Sequence, residues 1–434
     1  MRWGWVVAGL SIAVAAGGTA CRDLLGLHEP IVEGDAGTEA SSPIPDADNG
    51  EASGVYPAYT PDVPQLDLTP SGAVMRTPQV RAIAFPGDML AAQAAVGASG
   101  WLGSTIWLEQ TQEYGVGFGT ADPLIALDAA APATLTDDDI QAWLVAMLDG
   151  THPELGPVDA TTLASEVFAL VYPQGTTITT PVGTSCQQFT GYHSVVVFDA
   201  RVATYLVLPR CPASDPPPGD TPIGALTAAG SYELLATVTN PSPRASPAYT
   251  TFDPPHVAWN FLNGHGKTEL PQACCVPFRT ADGGGCTPLL TPNGDAGLAI
   301  TRSWSNTQIA QYHDPCVPTP NSTPYFASVP IMNDEVSPPG DYPTKGIQIA
   351  VGQSKTVDVQ LWSDGPTSGP WTVDALVLPG FPADALAFAF NRSTGQNGEK
   401  LRLTITAKAA SAVPFALVST LGSKQTTWVG LAGP

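Results

Sequence analysis

Proline and glycine constrain the fold of this chain more than any other feature of its sequence. There are 44 prolines and 43 glycines, about a fifth of the 434 residues. Proline fixes φ and removes a backbone donor, and glycine weakens helices, so the composition suits strands and structured loops better than helix bundles. Hydrophobic residues make up 43% of the chain, enough to bury a sizeable core. The length allows two or three domains.

The charge balance is strongly acidic. Lys and Arg number 17 against 39 Asp and Glu, which gives a formal net charge of −22. Nucleic acids and anionic membrane surfaces repel such a chain. We therefore expect no nucleic-acid partner.

The amino terminus has the layout of a secretory signal. Arg2 precedes an apolar run over residues 3–16, and small residues lead to Cys21. The run is too short for a membrane-spanning helix with flanks. Cys21 follows Gly18-Thr19-Ala20 and resembles the lipobox of bacterial lipoproteins, although Gly18 replaces the usual Leu-like residue. The resemblance implies a lipid anchor on Cys21 as the only membrane contact; the alternative is an ordinary signal peptide with an incidental cysteine.

Residues 22–69 read as a disordered acidic tether. They hold ten acidic residues and one arginine, with few large apolar side chains. Such a segment buries too little surface to offset its chain entropy. The tether would let an anchored body stand away from the membrane; without acylation of Cys21 it would be a free tail.

The six cysteines beyond Cys21 predict three disulfides in an oxidising compartment outside the cytoplasm, at the outer membrane or cell surface. No pair has the C-x-x-C spacing of a zinc ribbon, so we expect no structural zinc. Of the fifteen possible pairings we favour Cys186–Cys211, Cys274–Cys316 and Cys275–Cys286.

An α+β body is predicted over residues 70–320. Apolar β runs occur at 79–85, 166–172, 194–198 and 204–208, and an alanine-rich helix is predicted at 88–98. Thr136 followed by Asp139 is a capping signature, and apolar residues at helical spacing follow it. Helix and strand signals fade after residue 241, where loops stapled by disulfides are expected.

Residues 321–434 predict a β-sandwich of immunoglobulin type. Six short β runs recur, at 346–351, 355–362, 371–378, 386–390, 400–407 and 414–420. Turn signals separate them, and Asn397-Gly398 predicts a hairpin. The Cys…Trp…Cys core of antibody domains is absent, so the likeness is architectural.

The stretch most informative about chemistry is residues 230–241, with the sequence GSYELLATVTNP. It resembles the helix of secreted bacterial metallopeptidase-like proteins that carry S-H-E-x-x-E-x-x-T-D-P. Ser231, Glu233, Thr239 and Pro241 stand at matching positions. Neighbouring blocks follow in the same order over about residues 76–318: SC at 185–186, GYH at 191–193, PRC at 209–211, TRSWSN at 301–306 and HDPC at 313–316.

The resemblance implies a zincin-like α/β body. A His and a Glu four residues apart on adjacent turns would hold zinc, the Glu after the His would act as general base, and the acidic residue of a downstream G-E-x-x-D-x-C block would complete the ligands. Here Tyr232 replaces the His, Ala236 the second Glu, and Gln272 the Asp. Only the base, Glu233, survives, so the resemblance implies the fold of a zinc peptidase with a degenerate, inactive site and no bound metal or other cofactor.

Other sites have less support in the sequence. Scattered histidines could rebuild a metal site, and Asp253, Glu233 or Glu269 could pair as acid and base. The candidate histidines are His193, His256, His265 and His313. No G-x-S-x-G elbow is present.

The leading hypothesis is a cell-envelope lipoprotein with a silent metallopeptidase-like domain that binds or scaffolds an envelope protein or peptide. The rival hypothesis is an active secreted hydrolase, and a third is a purely structural surface protein. Neither the ligand nor the oligomeric state follows from the sequence.

Overall fold

The computed structural model describes residues 54–68, 72–92, 94, 109–149, 155, 162–199, 201–212, 222–262, 266–274, 289–290, 299–319, 324–338 and 343–434. The predicted signal, Cys21 and the predicted pair Cys275–Cys286 lie outside these residues. No helix in the described ranges combines the length and the apolar character needed to cross a bilayer.

The body is built on a mixed sheet whose edge strand is antiparallel. The strands run in the order β3-β2-β6-β10-β9, and β4 also pairs with β2. All neighbours are parallel except β9, which runs antiparallel to β10. The strands are β2 (Gln79–Ala84), β3 (Thr120–Ala121), β4 (Ile125–Ala126), β6 (Glu166–Tyr172), β9 (Tyr192–Phe198) and β10 (Arg201–Pro209), and a separate small sheet holds β5 (Thr134–Thr136), β7 (Thr177–Thr180) and β8 (Gly183–Thr184).

Helix α1 (Asp137–Leu148) covers one face of the main sheet. It begins as predicted, because the Thr136 hydroxyl accepts from the Asp139 amide and the Asp139 carboxylate accepts from the Thr136 amide. This reciprocal cap satisfies two backbone donors that a helix start leaves unpaired. The apolar side of α1, including Ile140 and Leu144, packs against Phe168 and other sheet residues.

Helix α2 (Pro222–Thr239) covers the opposite face and carries the GSYELLATVT stretch. Leu226, Leu234, Leu235 and Val238 pack on the sheet, as their spacing predicts. The helix ends at Thr239, before Asn240-Pro241. Within the predicted helix at 88–98, residues 89–92 and 94 are helical, and most of the remainder lies outside the described residues.

Short elements and two disulfides hold the region after α2. Cys186–Cys211 and Cys274–Cys316 are both formed, which confirms those two pairings. The 3₁₀ helices of the body are Glu109–Tyr114, Leu163–Ser165 and Pro254–Phe261. The short helices are α3 (Leu270–Ala273) and α4 (Asn306–Ala310), and the two-residue strands are β1 (Leu66–Asp67), β11 (Thr251–Phe252), β12 (Leu289–Leu290), β13 (Ala299–Ile300), β14 (Ser303–Trp304) and β15 (Cys316–Val317).

The carboxyl-terminal part is an immunoglobulin-like sandwich, as predicted. One sheet has the order β16-β19-β23-β21 and the other β17-β18-β25-β24-β20-β22, with β18 parallel to β25. The first order corresponds to strands ABED of the immunoglobulin fold, and β25-β24-β20 in the second sheet corresponds to strands GFC. β22 follows strand D in the chain, so it is an additional edge strand beside strand C. The strands are β16 (Phe326–Pro330), β17 (Asp334–Val336), β18 (Thr344–Gln348), β19 (Ser354–Ser363), β20 (Trp371–Val377), β21 (Leu386–Phe390), β22 (Thr394–Gly395), β23 (Lys400–Ala407), β24 (Val413–Leu421) and β25 (Lys424–Gly433).

A buried tryptophan stands on strand C even though the flanking cysteines are missing. Trp371 is fully buried, packs on Phe326 and donates from Nε1 to the Ser328 hydroxyl at 3.0 Å. The polar ring atom of Trp371 is therefore satisfied within the sandwich.

The body and the sandwich share one hydrophobic core across the predicted boundary at residue 320. Trp259 lies 5.4 Å from Trp304 and 5.7 Å from Trp428 between ring centroids, and Trp428 lies 6.4 Å from Trp362. Trp259 and Trp304 belong to the body, and Trp362 and Trp428 to the sandwich. The boundary is thus a change of architecture and not a linker.

Two expectations need correction. Residues 54–68, placed within the predicted disordered tether, lie against both halves of the molecule; we refer to them as the strap. The second concerns the hairpin predicted at Asn397. The short strand β22 lies in the connection between β21 and β23 and pairs with β20, so the connection is not a simple hairpin turn. The side-chain amide of Asn397 binds the strap. The predicted turn is present, since Gly398 has a φ of +90°. The Asn397 side chain, however, binds residues that are remote in sequence.

Candidate functional site

Helix α2 places a carboxylate deep in the body. Residues 230–239 are all buried, and Glu233 is 1% exposed. A buried carboxylate is costly unless it is hydrogen-bonded or paired. Glu233 therefore requires a partner, and that partner comes from the neighbouring edge strand.

The partner is His193 on β9. Its Nδ1 lies 3.1 Å from Oε2 of Glu233, and its side chain is 3% exposed. His193 is held opposite Leu206 of β10 by the antiparallel register. The edge strand and the helix thus bring together an acid and an imidazole that are 40 residues apart.

Glu269 lies on the other edge of the same imidazole. Its Oε1 is 3.8 Å from Nε2 of His193 and accepts from Nδ2 of Asn240 at 2.7 Å. Asn240 is fixed in turn because its Oδ1 accepts from the Ala248 amide. Residues at the end of α2 and at the start of α3 therefore complete a Glu233–His193–Glu269 cluster.

Burial and pairing act in opposite directions on His193. Burial alone would lower the pKa of the imidazole, but the hydrogen bond to Glu233 and the charges of Glu269 and Glu233 outweigh it, so the pKa of His193 is raised. Burial also raises the pKa of Glu233, and the contact with His193 offsets that shift only in part. The cluster consequently retains protons to higher pH than its isolated groups would.

Three polar atoms of the cluster are buried without a hydrogen-bond partner. They are Oε1 of Glu233, Nε2 of His193 and Oε2 of Glu269. Buried polar atoms in folded proteins are normally paired, so this group of exceptions in one place marks the cluster as chemically unusual.

The predicted ligand positions do not supply a zinc site. Ala236 is fully buried and has no ligand atom, while Tyr232, which is also buried, and Gln272 are poor zinc ligands. The Gln272 side-chain oxygen instead accepts from the Glu269 amide at 3.3 Å, in the first turn of α3. The donor set at these positions therefore does not fit the zinc that the resemblance implies.

The observed cluster does not replace that zinc site. The two nitrogens of an imidazole point away from each other, so the carboxylates that flank His193 face opposite edges of the ring. Across the described ranges, no group of three or more His, Cys, Asp and Glu side chains is arranged to hold a metal ion.

The other sequence candidates lie apart from this cluster. His256 Nδ1 is 2.9 Å from Asp253 Oδ2, and Asp253 also accepts from the strap. His313 is half-exposed and pairs with Asp364 of the sandwich. His265 lies outside the described residues.

Sequence reasoning named Glu269 with Glu233 and Asp253 as a possible acid–base pair and His193 among scattered histidines, but it did not place His193 between the two glutamates. The one available signal was the GYH block at 191–193. Gly191 permits the close approach, because a Cβ there would lie 2.9 Å from Cγ of Glu233.

Comparisons with known proteins give no family. No family model matches the chain, and no curated protein matches it. Among solved structures, domains 4 and 5 of the S-layer protein SbsC match with a TM-score of 0.16 and 16% identity, over 24% of this chain and 54% of that one, so this chain spans about half of that fragment.

Two further solved structures match at the same level. A conjugative transposon lipoprotein from Bacteroides eggerthii matches with a TM-score of 0.18 and 16% identity, over 24% of this chain and 95% of that one. The titin M3 domain matches with a TM-score of 0.16 and 11% identity, over 25% of this chain and 94% of the titin domain. Each match concerns about a quarter of this chain, and the immunoglobulin-like assignment rests on the strand order described above.

Proposed function

We propose that this chain is a cell-envelope lipoprotein whose metallopeptidase-like body is catalytically silent and which acts by binding or scaffolding. The observation that carries the proposal is the state of Glu233. The residue that would serve as general base is 1% exposed and is engaged by His193. A general base must come within hydrogen-bond reach of the proton that it removes, and burial keeps this carboxylate out of reach of a substrate that arrives from solvent.

The ligand positions support the same conclusion. A metal-activated water needs donor atoms that hold the metal, and Tyr232, Ala236 and Gln272 are a poor set for zinc. The disulfides support an extracytoplasmic location, since such bonds persist in oxidising compartments. Acylation of Cys21 would then join the folded body to a membrane.

The alternative function is an acid–base hydrolase that uses the cluster. One observation favours it: two carboxylates flank a single imidazole, an arrangement that can hold and pass a proton. Substrate access opposes it, because His193, Glu233 and Glu269 are each at most 9% exposed. An active enzyme would have to open β9 away from α2 before a substrate could touch the cluster.

Metal content and peptidase activity test the proposal. The full chain, made in an oxidising compartment, is assayed for bound zinc by mass spectrometry and for turnover of casein and a peptide library. Glu233→Gln is compared with Glu335→Gln, since Glu335 is exposed on β17. We expect neither stoichiometric zinc nor turnover in any of the three proteins.

Either of two results would overturn the proposed lack of catalysis: about one zinc per wild-type chain, or peptide turnover that Glu233→Gln removes and Glu335→Gln keeps. Anchoring is tested separately by metabolic labelling with a fatty-acid analogue. Label that Cys21→Ser abolishes would support the lipoprotein. An unlabelled wild-type chain would refute the anchor, and the proposed lack of catalysis would be unaffected.

A further inference from the structure

The strap, residues 54–68, is held at its amino-terminal end by the sandwich. The Asn397 side chain accepts from the Ala58 amide at 3.2 Å and donates to the Val55 carbonyl at 2.8 Å. The Tyr59 hydroxyl donates to the Gly398 carbonyl at 2.7 Å, and Lys400 lies over the Tyr59 ring. One asparagine side chain thus pairs with the strap backbone as a neighbouring strand would.

The carboxyl-terminal end of the strap is held by the body in the same manner. The Leu66 amide donates to Oδ1 of Asn306 at 2.9 Å, and Nδ2 of Asn306 donates back to the Leu66 carbonyl at 2.9 Å. Trp304 Nε1 donates to the same Oδ1, which fixes the orientation of the amide. Beside this contact, β1 pairs antiparallel with β11.

The middle of the strap adds polar contacts to both halves. Asp62 pairs with Lys345 of β18, which belongs to the sandwich. Asp253 of the body accepts from the Gln65 amide at 2.9 Å and donates from its own amide to the Gln65 carbonyl at 2.8 Å. The backbone of Gln65 is therefore paired in both directions.

The Leu66 side chain enters the core that the two halves share. It is 2% exposed and belongs to the same apolar cluster as Trp259 and Trp304 of the body and Trp362 and Trp428 of the sandwich. Leu68, two residues later, is 49% exposed. Along the strap, burial is therefore concentrated on particular side chains, as in a bound peptide.

We propose that the strap is an intrachain ligand: a separable peptide segment that occupies a composite surface of body and sandwich and holds them in one arrangement. Its side-chain hydrogen bonds to the rest of the chain join residues from 188 to 342 positions apart. Its regular secondary structure is the two-residue strand β1. The hydrogen bonds from the strap backbone to the Asn306 and Asn397 side chains fix the position of the strap along this surface. The pocket that holds Leu66 selects the side chain at that position, as pockets do in strand-addition complexes.

The test separates the strap from the folded chain without removing it. A site-specific protease sequence is inserted within residues 69–71 of the full chain, and the chain is folded and then cleaved. Retention of the amino-terminal fragment is followed by gel filtration and mass spectrometry. The wild-type fragment should stay bound, and its loss should lower the melting temperature of the remaining chain.

Matched variants identify the contact that matters. Leu66→Ala should weaken retention at least about 30-fold, because it empties a buried pocket, whereas Leu68→Ala should leave retention unchanged. Should Leu66→Ala fail to fold, Tyr59→Phe removes one hydroxyl bond and should weaken retention about fivefold, with Tyr56→Phe as its exposed control. Immediate loss of the wild-type fragment, or equal effects within either matched pair, would refute the proposal.

Discussion

Gly191 lies so close to Glu233 that a Cβ on the glycine would come within 2.9 Å of the Glu233 Cγ. The same Cβ would meet Leu208 Cδ2 at 3.1 Å and the Val207 carbonyl oxygen at 3.3 Å, so three neighbours crowd this position. The glycine therefore fixes how near β9 can come to α2. The contact between His193 and Glu233 depends on that approach.

We predict that Gly191→Ala destabilises the body by about 1–3 kcal/mol, the usual cost of overpacking a filled core. Gly365→Ala is the matched control, because its Cβ would meet only Pro324 at 3.7 Å, an ordinary contact. Urea unfolding measures both free energies of unfolding. Equal effects of the two substitutions would contradict the close approach described here.

The pH dependence of stability should report on the cluster. The folded pKa of His193 is raised above its ordinary value of 6.5, so its contribution is fully present below that pH and is lost as pH rises through the folded value. The raised pKa of Glu233 acts in the same direction, from its ordinary value of 4.5. We therefore predict that the free energy of unfolding falls as pH rises above 6.5, the ordinary value for His193.

Removing the imidazole should flatten that slope. His193→Gln is compared with His313→Gln, in which the substituted side chain is half-exposed and pairs with Asp364 of the sandwich. Thermal and urea unfolding at several pH values measure the slope apart from any overall loss of stability. If the two variants keep the same slope, the cluster is not the titrating element.

Local elements of the fold were predictable because their causes are local. The cap at Thr136, the buried strand Glu166–Tyr172 and the end of α2 before Asn240-Pro241 each follow from a few adjacent residues. The two described disulfides and the sandwich also followed from patterns along the chain. Periodicity and turn residues record such features directly.

The cluster and the strap could not be predicted in this way. His193 meets Glu233 only because an edge strand packs beside a helix 40 residues later. Asn397 meets Val55 across 342 residues, and a single asparagine has no pattern that names its partner. The zincin-like assignment of the body remains a prediction, since it depends on the aligned motif.

Restoring the motif tests that alignment. The triple variant Tyr232→His, Ala236→Glu and Gln272→Asp should gain zinc affinity, because residues 232 and 236 lie one turn apart on the same side of α2. The matched control Tyr232→Phe, Ala236→Gln and Gln272→Asn has similar volume without the ligands. Both should lose stability, since Ala236 is fully buried, but only the first should regain it with zinc.

Competition with a chromophoric chelator measures the zinc affinity of both triple variants. A ligand-bearing variant that folds and binds no more zinc than its control would show that the motif is out of register. The silent state of the wild-type chain would then need an explanation other than lost ligands.

Because body and sandwich share a tryptophan core, we predict that truncating a sandwich tryptophan in that core also destabilises the body. Trp428 packs on Trp259, whereas Trp371 packs within the sandwich, on Phe326. Trp428→Ala and Trp371→Ala should each cost about 3–5 kcal/mol, as large aromatic truncations do. Of the two variants, Trp428→Ala alone should accelerate hydrogen exchange in the 3₁₀ helix Pro254–Phe261, because Trp428 packs on Trp259 of that helix and Trp371 does not. Equal exchange in that helix for the two variants would mean that body and sandwich do not depend on a common core.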